Sequence, residues 1–293
     1  MPSNRSRPFA PTFCVLLGAG LWGVIWYPMR LLEARGLGGI WLTLILYGTA
    51  LAASLPYTYR SVRGVSGTPG WLFVLMVSAG WTNIAFVEAV LGGNILRVLL
   101  LFYLSPLWAT LMGRLFLGER ISPSGLASLA IAMGGALVML WNPAAGWPWP
   151  EGRADWLALT SGFAFALSNV ATRAAQQAAV ATKVFCVWAG VTVMAGVLIA
   201  AAGPPAPYVG LATSAGAFAL GGGILAMTLL IQYGVTNLPV YRSAVLTFVE
   251  LVAGAVSQAL LTNETVSARD WLGGALIVLG AYLAARTAGK GAQ

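Results

Sequence analysis

Two carboxylates lie where a carboxylate is expensive. Of the eight acidic residues in this 293-residue chain, Glu33, Glu119, Glu151, Asp155, Glu264 and Asp270 fall at the ends of apolar runs or between them. Glu250 falls in the middle of a run, and Glu88 in the outer part of another. An ionisable group inside an apolar span costs stability and points to function. Glu250 can bind the ammonium group of a zwitterion, carry a coupling proton, or pair with a buried arginine, Arg97 or Arg242. Glu88, nearer a surface, can do the same or simply reach water. Arg97 opens its run and is either the partner of a substrate carboxylate or an interfacial anchor. The chain has no histidine, which removes imidazole acid–base chemistry and most zinc sites. Its two cysteines, Cys14 and Cys186, are far apart in apolar surroundings and read as small hydrophobes. No metal, no cofactor and no catalytic residue is expected.

Aromatic and polar residues inside the runs form a second set. Trp22 and Trp26 are four residues apart, on one helix face, with Tyr27 beside them. Trp81 and Asn83 lie mid-run. Tyr103, Ser105 and Trp108 flank Pro106. Phe163, Phe165, Ser168 and Asn169 follow in a later run, and Gln232 and Tyr233 close another. Each either packs between helices or lines a pocket. A pocket of rings with a few polar groups suits an amphipathic, ring-bearing substrate. Tryptophans near run ends (Trp41, Trp71, Trp141, Trp147, Trp149, Trp156 and Trp271) read as interfacial anchors. Residues 18–23, GAGLWG, match G-x-G-x-x-G, but a dinucleotide turn must follow a strand and open a helix. Here the glycines lie within an apolar run, so close helix packing is the better reading. Pro28 and Pro106 interrupt backbone hydrogen bonding and are candidate hinges.

The elements that carry these residues follow from composition. The chain is 59% apolar and 8% charged, with a mean hydropathy of +0.82, whereas soluble domains carry about 25% charged residues. This is the composition of a polytopic membrane protein. Charges, prolines and glycines divide it into ten spans: 11–31, 40–59, 70–91, 95–117, 123–141, 154–174, 182–201, 211–234, 240–261 and 269–286. No cleaved leader is expected, because no A-x-A site follows the long first span. With the N-terminus in the cytoplasm, eleven of the 16 Lys and Arg residues fall at inner ends. That bias supports two cytoplasmic termini. The basic balance then reads as membrane orientation rather than nucleic-acid binding.

A shift of 145 residues aligns RVLLLFYLSPLWATLMGRLFLGERIS, from Arg97, with RSAVLTFVELVAGAVSQALLTNETVS, from Arg242. Arg97 meets Arg242, Glu119 meets Glu264, and Ser122 meets Ser267. The opening run falls near the Phe163–Asn169 run at a slightly smaller offset. The chain therefore divides into 1–145 and 146–293, each with five spans. Five is odd, so the second half is inverted relative to the first. Inverted repeats around a midplane site are a construction of secondary transporters. The expected fold is an all-α integral membrane protein of ten transmembrane helices, arranged as two inverted five-helix repeats around a central cavity.

The stretch LSPLWATLMGRLFLGERISPSGLASLAIAMGGALVML (104–140) resembles the C-terminal end of an EamA domain. Its landmarks are an early proline, an L-G-E-R and a glycine-rich following span. The second copy, VELVAGAVSQALLTNETVSARDWLGGALIVLGAYL, departs from these landmarks: Leu251 stands at the proline and N-E-T at G-E-R. The chain is thus similar to the drug/metabolite transporter superfamily, and within it most like the YddG-type aromatic amino acid exporters. That resemblance implies a cavity lined by spans 1, 3, 4, 6, 8 and 9 and alternating access by rocking of two halves. It also implies a small-molecule substrate and a multi-pass protein of the bacterial inner membrane. The expected function is a secondary transporter that exports amino acids, aromatic or neutral, or similar metabolites. A channel-like facilitator is the alternative. A membrane-embedded enzyme is disfavoured, since the chain lacks histidine, D-x-x-x-D and G-x-S-x-G, and no G-x-x-x-x-G-K-[ST] marks an ATPase. Oligomeric state is left open, with a monomer plausible.

Overall fold

A computed structural model describes residues 9–63, 68–93, 95–141, 149–262 and 267–286. The described residues form helices joined by short connections, with no strand among them. In chain order the elements are α1 (Phe9–Val24), α2 (Trp26–Glu33), α3 (Gly39–Arg63), α4 (Pro69–Gly92), α5 (Ile95–Phe102), α6 (Ser105–Leu117) and α7 (Pro123–Leu140). They continue with α8 (Arg153–Ala174), α9 (Val180–Ala202), α10 (Leu211–Asn237), α11 (Val240–Thr247), α12 (Val249–Leu261) and α13 (Ala268–Arg286). Three rods are broken in the middle: α1/α2, α5/α6 and α11/α12. Joined across their breaks, these elements make ten rods at the positions of the ten expected spans.

Eight of the ten rods are long and apolar enough to cross a membrane. The other two, α8 and α13, fall short on hydropathy rather than length. For α8 the reason lies in its surroundings: Ser161, Ser168, Asn169 and Thr172 are buried among other helices. A helix enclosed by protein needs no apolar surface toward lipid. Residues at the outer ends, such as the tryptophans at 147 and 149, divide between those described and those outside the described residues. Glu264 and its N-E-T segment, and the basic residues before Phe9 and after Arg286, are also outside them.

Two of the breaks sit just before a proline. Pro28 has no N–H to offer the Val24 carbonyl, and the helix gives way at Ile25, whose N–H turns to Trp22 O at 3.3 Å. Pro106 likewise strands the Phe102 carbonyl, and the chain turns at Tyr103 and Leu104. A stranded carbonyl must be accommodated inside a membrane protein. Here it lies against Gly162 of α8, where a Cβ would stand 2.5 Å from the oxygen. The third break, at Phe248, has no proline near it. It falls 145 residues after Tyr103.

Lipid offers helices no hydrophobic drive toward each other, so close approach through small residues does the work. Gly18 packs on Leu230 and Ile231 of α10, and Gly23 on Glu250–Gly254 of α12. Two of the three glycines of the opening motif are helix-contact points, while Gly20 faces open space. Gly135 and Gly273 bring α7 and α13 together, with a built Cβ only 2.5 Å from the facing carbonyl.

Candidate functional site

Glu250 stands in the first turn of the second half of a broken rod, deep among protein atoms, yet it keeps part of its surface accessible. Its side-chain partner is the Tyr103 hydroxyl, which comes from the break of the other discontinuous rod. The Tyr103 ring stacks on Phe248, with centroids 5.7 Å apart and planes at 24°. The two breaks therefore meet face to face at mid-depth, and each is the 145-residue counterpart of the other. Ser105, the counterpart of Glu250, is 2% exposed at the first turn of α6. The paired positions are thus a hydroxyl in one copy and a carboxylate in the other.

Tyr47, which sequence reasoning did not select, belongs to this site. It is buried, lies within electrostatic reach of Glu250, and donates from its hydroxyl to Asn83 Oδ1 at 2.7 Å. Asn83 in turn donates from Nδ2 to the Ala79 carbonyl at 3.0 Å. A tyrosine in an apolar run carries no sequence signal of its partner, so this link was not legible. Neither arginine proposed as a mate for Glu250 pairs with it. Arg97 binds Asp155 at 3.1 Å and Glu151 at 3.3 Å, and also the Trp149 carbonyl. Arg242, 6% exposed, donates to the Ala285 carbonyl at 3.1 Å.

The other expected site residues divide clearly. Trp26 donates from its indole to Ser257 Oγ at 2.9 Å and meets Tyr27 edge-on at 5.6 Å. Trp22 packs into the core of α3, α4, α9 and α10. The helix break at Ile25 falls between Trp22 and Trp26, and the two indoles have different partners. Phe165 joins a ring cluster with Phe102 at 5.5 Å, and Phe102 continues to Phe86 at 4.8 Å. Ser168 and Asn169 are buried on α8.

Several candidates stand elsewhere. Trp81 lies on an exposed stripe with Phe73 and Val77, at a spacing of one turn, which is the pattern of a lipid-facing surface. Phe163 is also exposed and packs edge-on against Trp108 at 5.7 Å. Tyr233 is exposed at the end of α10. Glu88 reaches a solvent-exposed Arg153 at 3.7 Å, a pair of the weak surface kind. The Arg97 guanidinium, expected to meet a substrate carboxylate or the interface, lies against two protein carboxylates, Asp155 and Glu151.

A further polar cluster closes one end of the rods. Glu119 follows the left-handed Gly118 (φ 66°), which turns its carboxylate back over α6. Its Oε2 accepts from the Val240 N–H at 2.8 Å, and its Oε1 from Arg173 Nε at 3.3 Å. Arg173 also donates to the Thr236 carbonyl at 2.8 Å, and Lys183 Nζ donates to Thr236 Oγ1 at 2.9 Å. Thr172 Oγ1 donates to Gln232 Oε1 at 2.9 Å. Lys183 is fully buried. The G-E-R landmark thus supplies an acid that serves two partners distant in the sequence, Val240 and Arg173, a role its position at a span end did not announce. This end is called the Glu119 face below, and the opposite one the Arg97 face.

An all-helical, multi-pass membrane protein with paired broken rods and a mid-depth carboxylate is the class these features define. Comparisons with known proteins agree. The EamA-like transporter family matches residues 152–286. That is the copy lacking the proline and G-E-R landmarks, so those landmarks are not what carries the likeness. Protein RarD of Salmonella typhi is 33% identical over 92 residues, 30% of this chain and 31% of that protein. A riboflavin transporter of Rhizobium johnstonii is 30% identical over 126 residues, 42% of this chain and 40% of its own. The matches span 31% and 40% of these relatives' lengths. One crystal structure of a protein overlays with a TM-score of 0.76 at 19% identity, covering 97% of this chain and 98% of the other. That is a likeness of fold. The family match and the transporter among these relatives support a membrane transporter, a non-enzymatic kind of protein.

Proposed function

We propose that this chain is a secondary transporter that exports small amphipathic molecules bearing an ammonium group, with aromatic or neutral amino acids first among them. The observation that carries the proposal is the Glu250 carboxylate at the meeting point of the two broken rods, held by Tyr103 and paired with no arginine among the described residues. Rings stand close by: Tyr103, Phe248 and the Phe102–Phe165–Phe86 cluster. A carboxylate at mid-depth attracts a protonated amine, and rings accept an aromatic side chain or the cation itself. The two halves 1–145 and 146–293 form the inverted repeat that such a mechanism uses. The protein resides in a bacterial inner membrane with both termini cytoplasmic.

The test uses purified protein in proteoliposomes and a panel of labelled solutes. It compares a neutral aromatic amino acid, its deaminated acid and its amide, an aliphatic amino acid, and riboflavin, the solute named for one relative. Transport of the amino acid and the amide, but not of the deaminated acid, is the expected result. Equal transport of the deaminated acid would remove the ammonium role of Glu250. Transport of riboflavin alone would move the substrate class to neutral ring systems.

A further inference from the structure

Buried polar side chains normally have partners, and one without a partner calls for an explanation. Asn169 on α8 is such a residue. It is 5% exposed, and its amide makes no hydrogen bond among the described residues. The amide is not among the fully enclosed polar atoms that lack a partner, so it keeps a little accessible surface. Gln232 on α10, 7% exposed, is in half the same position. Its Oε1 accepts from Thr172 Oγ1 at 2.9 Å, while its Nε2 has no acceptor among the described residues. Thr172 is three residues from Asn169 on the same helix, a spacing that makes side chains neighbours. Two amides with unclaimed donors therefore stand near each other, one on each helix.

The charges on either side say what these donors suit. One turn beyond Asn169, toward the Glu119 face, Arg173 donates to the Thr236 carbonyl at 2.8 Å. Thr236 is itself one turn beyond Gln232, and its hydroxyl accepts from Lys183 Nζ at 2.9 Å. Glu119, bound to Arg173, is the carboxylate of this cluster, so two cations face one anion there. One turn from Asn169 in the other direction, toward the Arg97 face, Phe165 meets Phe102 at 5.5 Å. Phe102 meets Tyr103 at 5.4 Å, and Tyr103 bonds to Glu250. The amides thus lie between a positive end and the Glu250 carboxylate.

Their depth fits a small zwitterion. Glu119 touches both Val240 and Arg173 and so levels α11 with α8. Glu250 lies ten residues from Val240, and Asn169 four from Arg173. At 1.5 Å per residue the two positions differ by about 9 Å along the rods. An α-amino acid with a hydrogen bond at each end bridges a gap of that size.

We propose that Asn169 and Gln232 bind the carboxylate of the transported solute while Glu250 binds its ammonium, so that the site selects free α-amino acids over amines without a carboxylate. This rests on the transporter reading above and adds the second half of the recognition. Amide N–H groups hold a carboxylate through charge-assisted hydrogen bonds. Arg173 and Lys183 add a favourable potential from one turn away.

The experiment measures initial rates in proteoliposomes for a neutral aromatic amino acid and for the amine left when its carboxylate is removed. The unmodified protein should show a KM about tenfold lower for the amino acid, which is the scale of one hydrogen bond to a charged group. Asn169→Ala removes one donor and should raise the amino-acid KM about tenfold more than the amine KM. Gln232→Glu keeps an acceptor for Thr172 and the side-chain shape but puts a negative charge where Nε2 stood. It should invert the preference. A merely structural role shifts both KM values together, so a variant that leaves their ratio unchanged overturns the proposal. If Asn169→Ala does not fold, Gln232→Glu decides alone. Transport of both solutes with equal KM by the unmodified protein removes the carboxylate subsite and leaves the ammonium reading standing. Transport of neither removes both.

Discussion

At the scale of single residues, the mid-depth carboxylate is where chemistry and packing disagree. Burying a charged group costs several kcal/mol unless it is paired and hydrogen-bonded. Glu250 has a tyrosine where a structural ion pair would have an arginine. A structural role predicts that Glu250→Gln changes stability and leaves selectivity alone. A ligand role predicts loss of transport with the fold retained, and loss of the preference for amines in any residual flux. Tyr103→Phe keeps the ring stack on Phe248 and removes only the hydroxyl. It should therefore weaken transport less than Glu250→Gln, measured as initial rate in the same liposomes. Trp26→Ala should raise the apparent KM for ring-bearing solutes more than for aliphatic ones; an equal rise would leave Trp26 a packing role through Ser257. The carboxylate was legible in the sequence because acids are rare inside apolar runs. Tyr47 was not, since nothing in its run reports that Asn83 faces it. Arg97 was legible as an unusual residue, but its pairing with Asp155 depends on two spans meeting end to end.

At the scale of elements, a break in a helix can be written in two ways. Pro28 and Pro106 write it covalently, by removing a donor and crowding the preceding carbonyl. At Phe248 the same geometry arises with Leu251 in the proline's place, so tertiary packing maintains it. Proline therefore announced one break of the central pair and not the other. The glycine motif shows the opposite kind of ambiguity. GAGLWG fits a nucleotide-binding spacing, yet Gly18 and Gly23 are contact points for two different helices and Gly20 touches nothing. That difference gives a matched test. Gly23→Val places a branched side chain against Ala253 Cβ, which already lies 2.7 Å from a built Cβ. Overpacking of this kind costs about 1–3 kcal/mol. Gly20→Val adds the same side chain where a built Cβ meets nothing within 4 Å. Thermal melts in detergent should show a lower Tm for Gly23→Val than for Gly20→Val. Equal melting temperatures would mean that α1 and α12 can separate at little cost. The ten rods were legible from hydropathy and punctuation. The packing of α8 along α4, and of α1 on α10 and α12, was not, because span periodicity says nothing about which helix packs on which.

At the scale of the whole molecule, inversion of an odd-numbered repeat makes the two faces equivalent by construction. A protein built this way has two conformations in which the faces trade roles, and a substrate shifts the population between them. A channel-like facilitator, by contrast, requires both faces open at once. Counterflow tests this directly. Proteoliposomes are loaded with unlabelled aromatic amino acid, diluted into a trace of the labelled compound, and followed over time. Alternating access predicts a transient accumulation of label above its equilibrium level, abolished by Glu250→Gln. Label that rises smoothly to equilibrium, regardless of what was loaded inside, would show a passive pore and contradict the carrier.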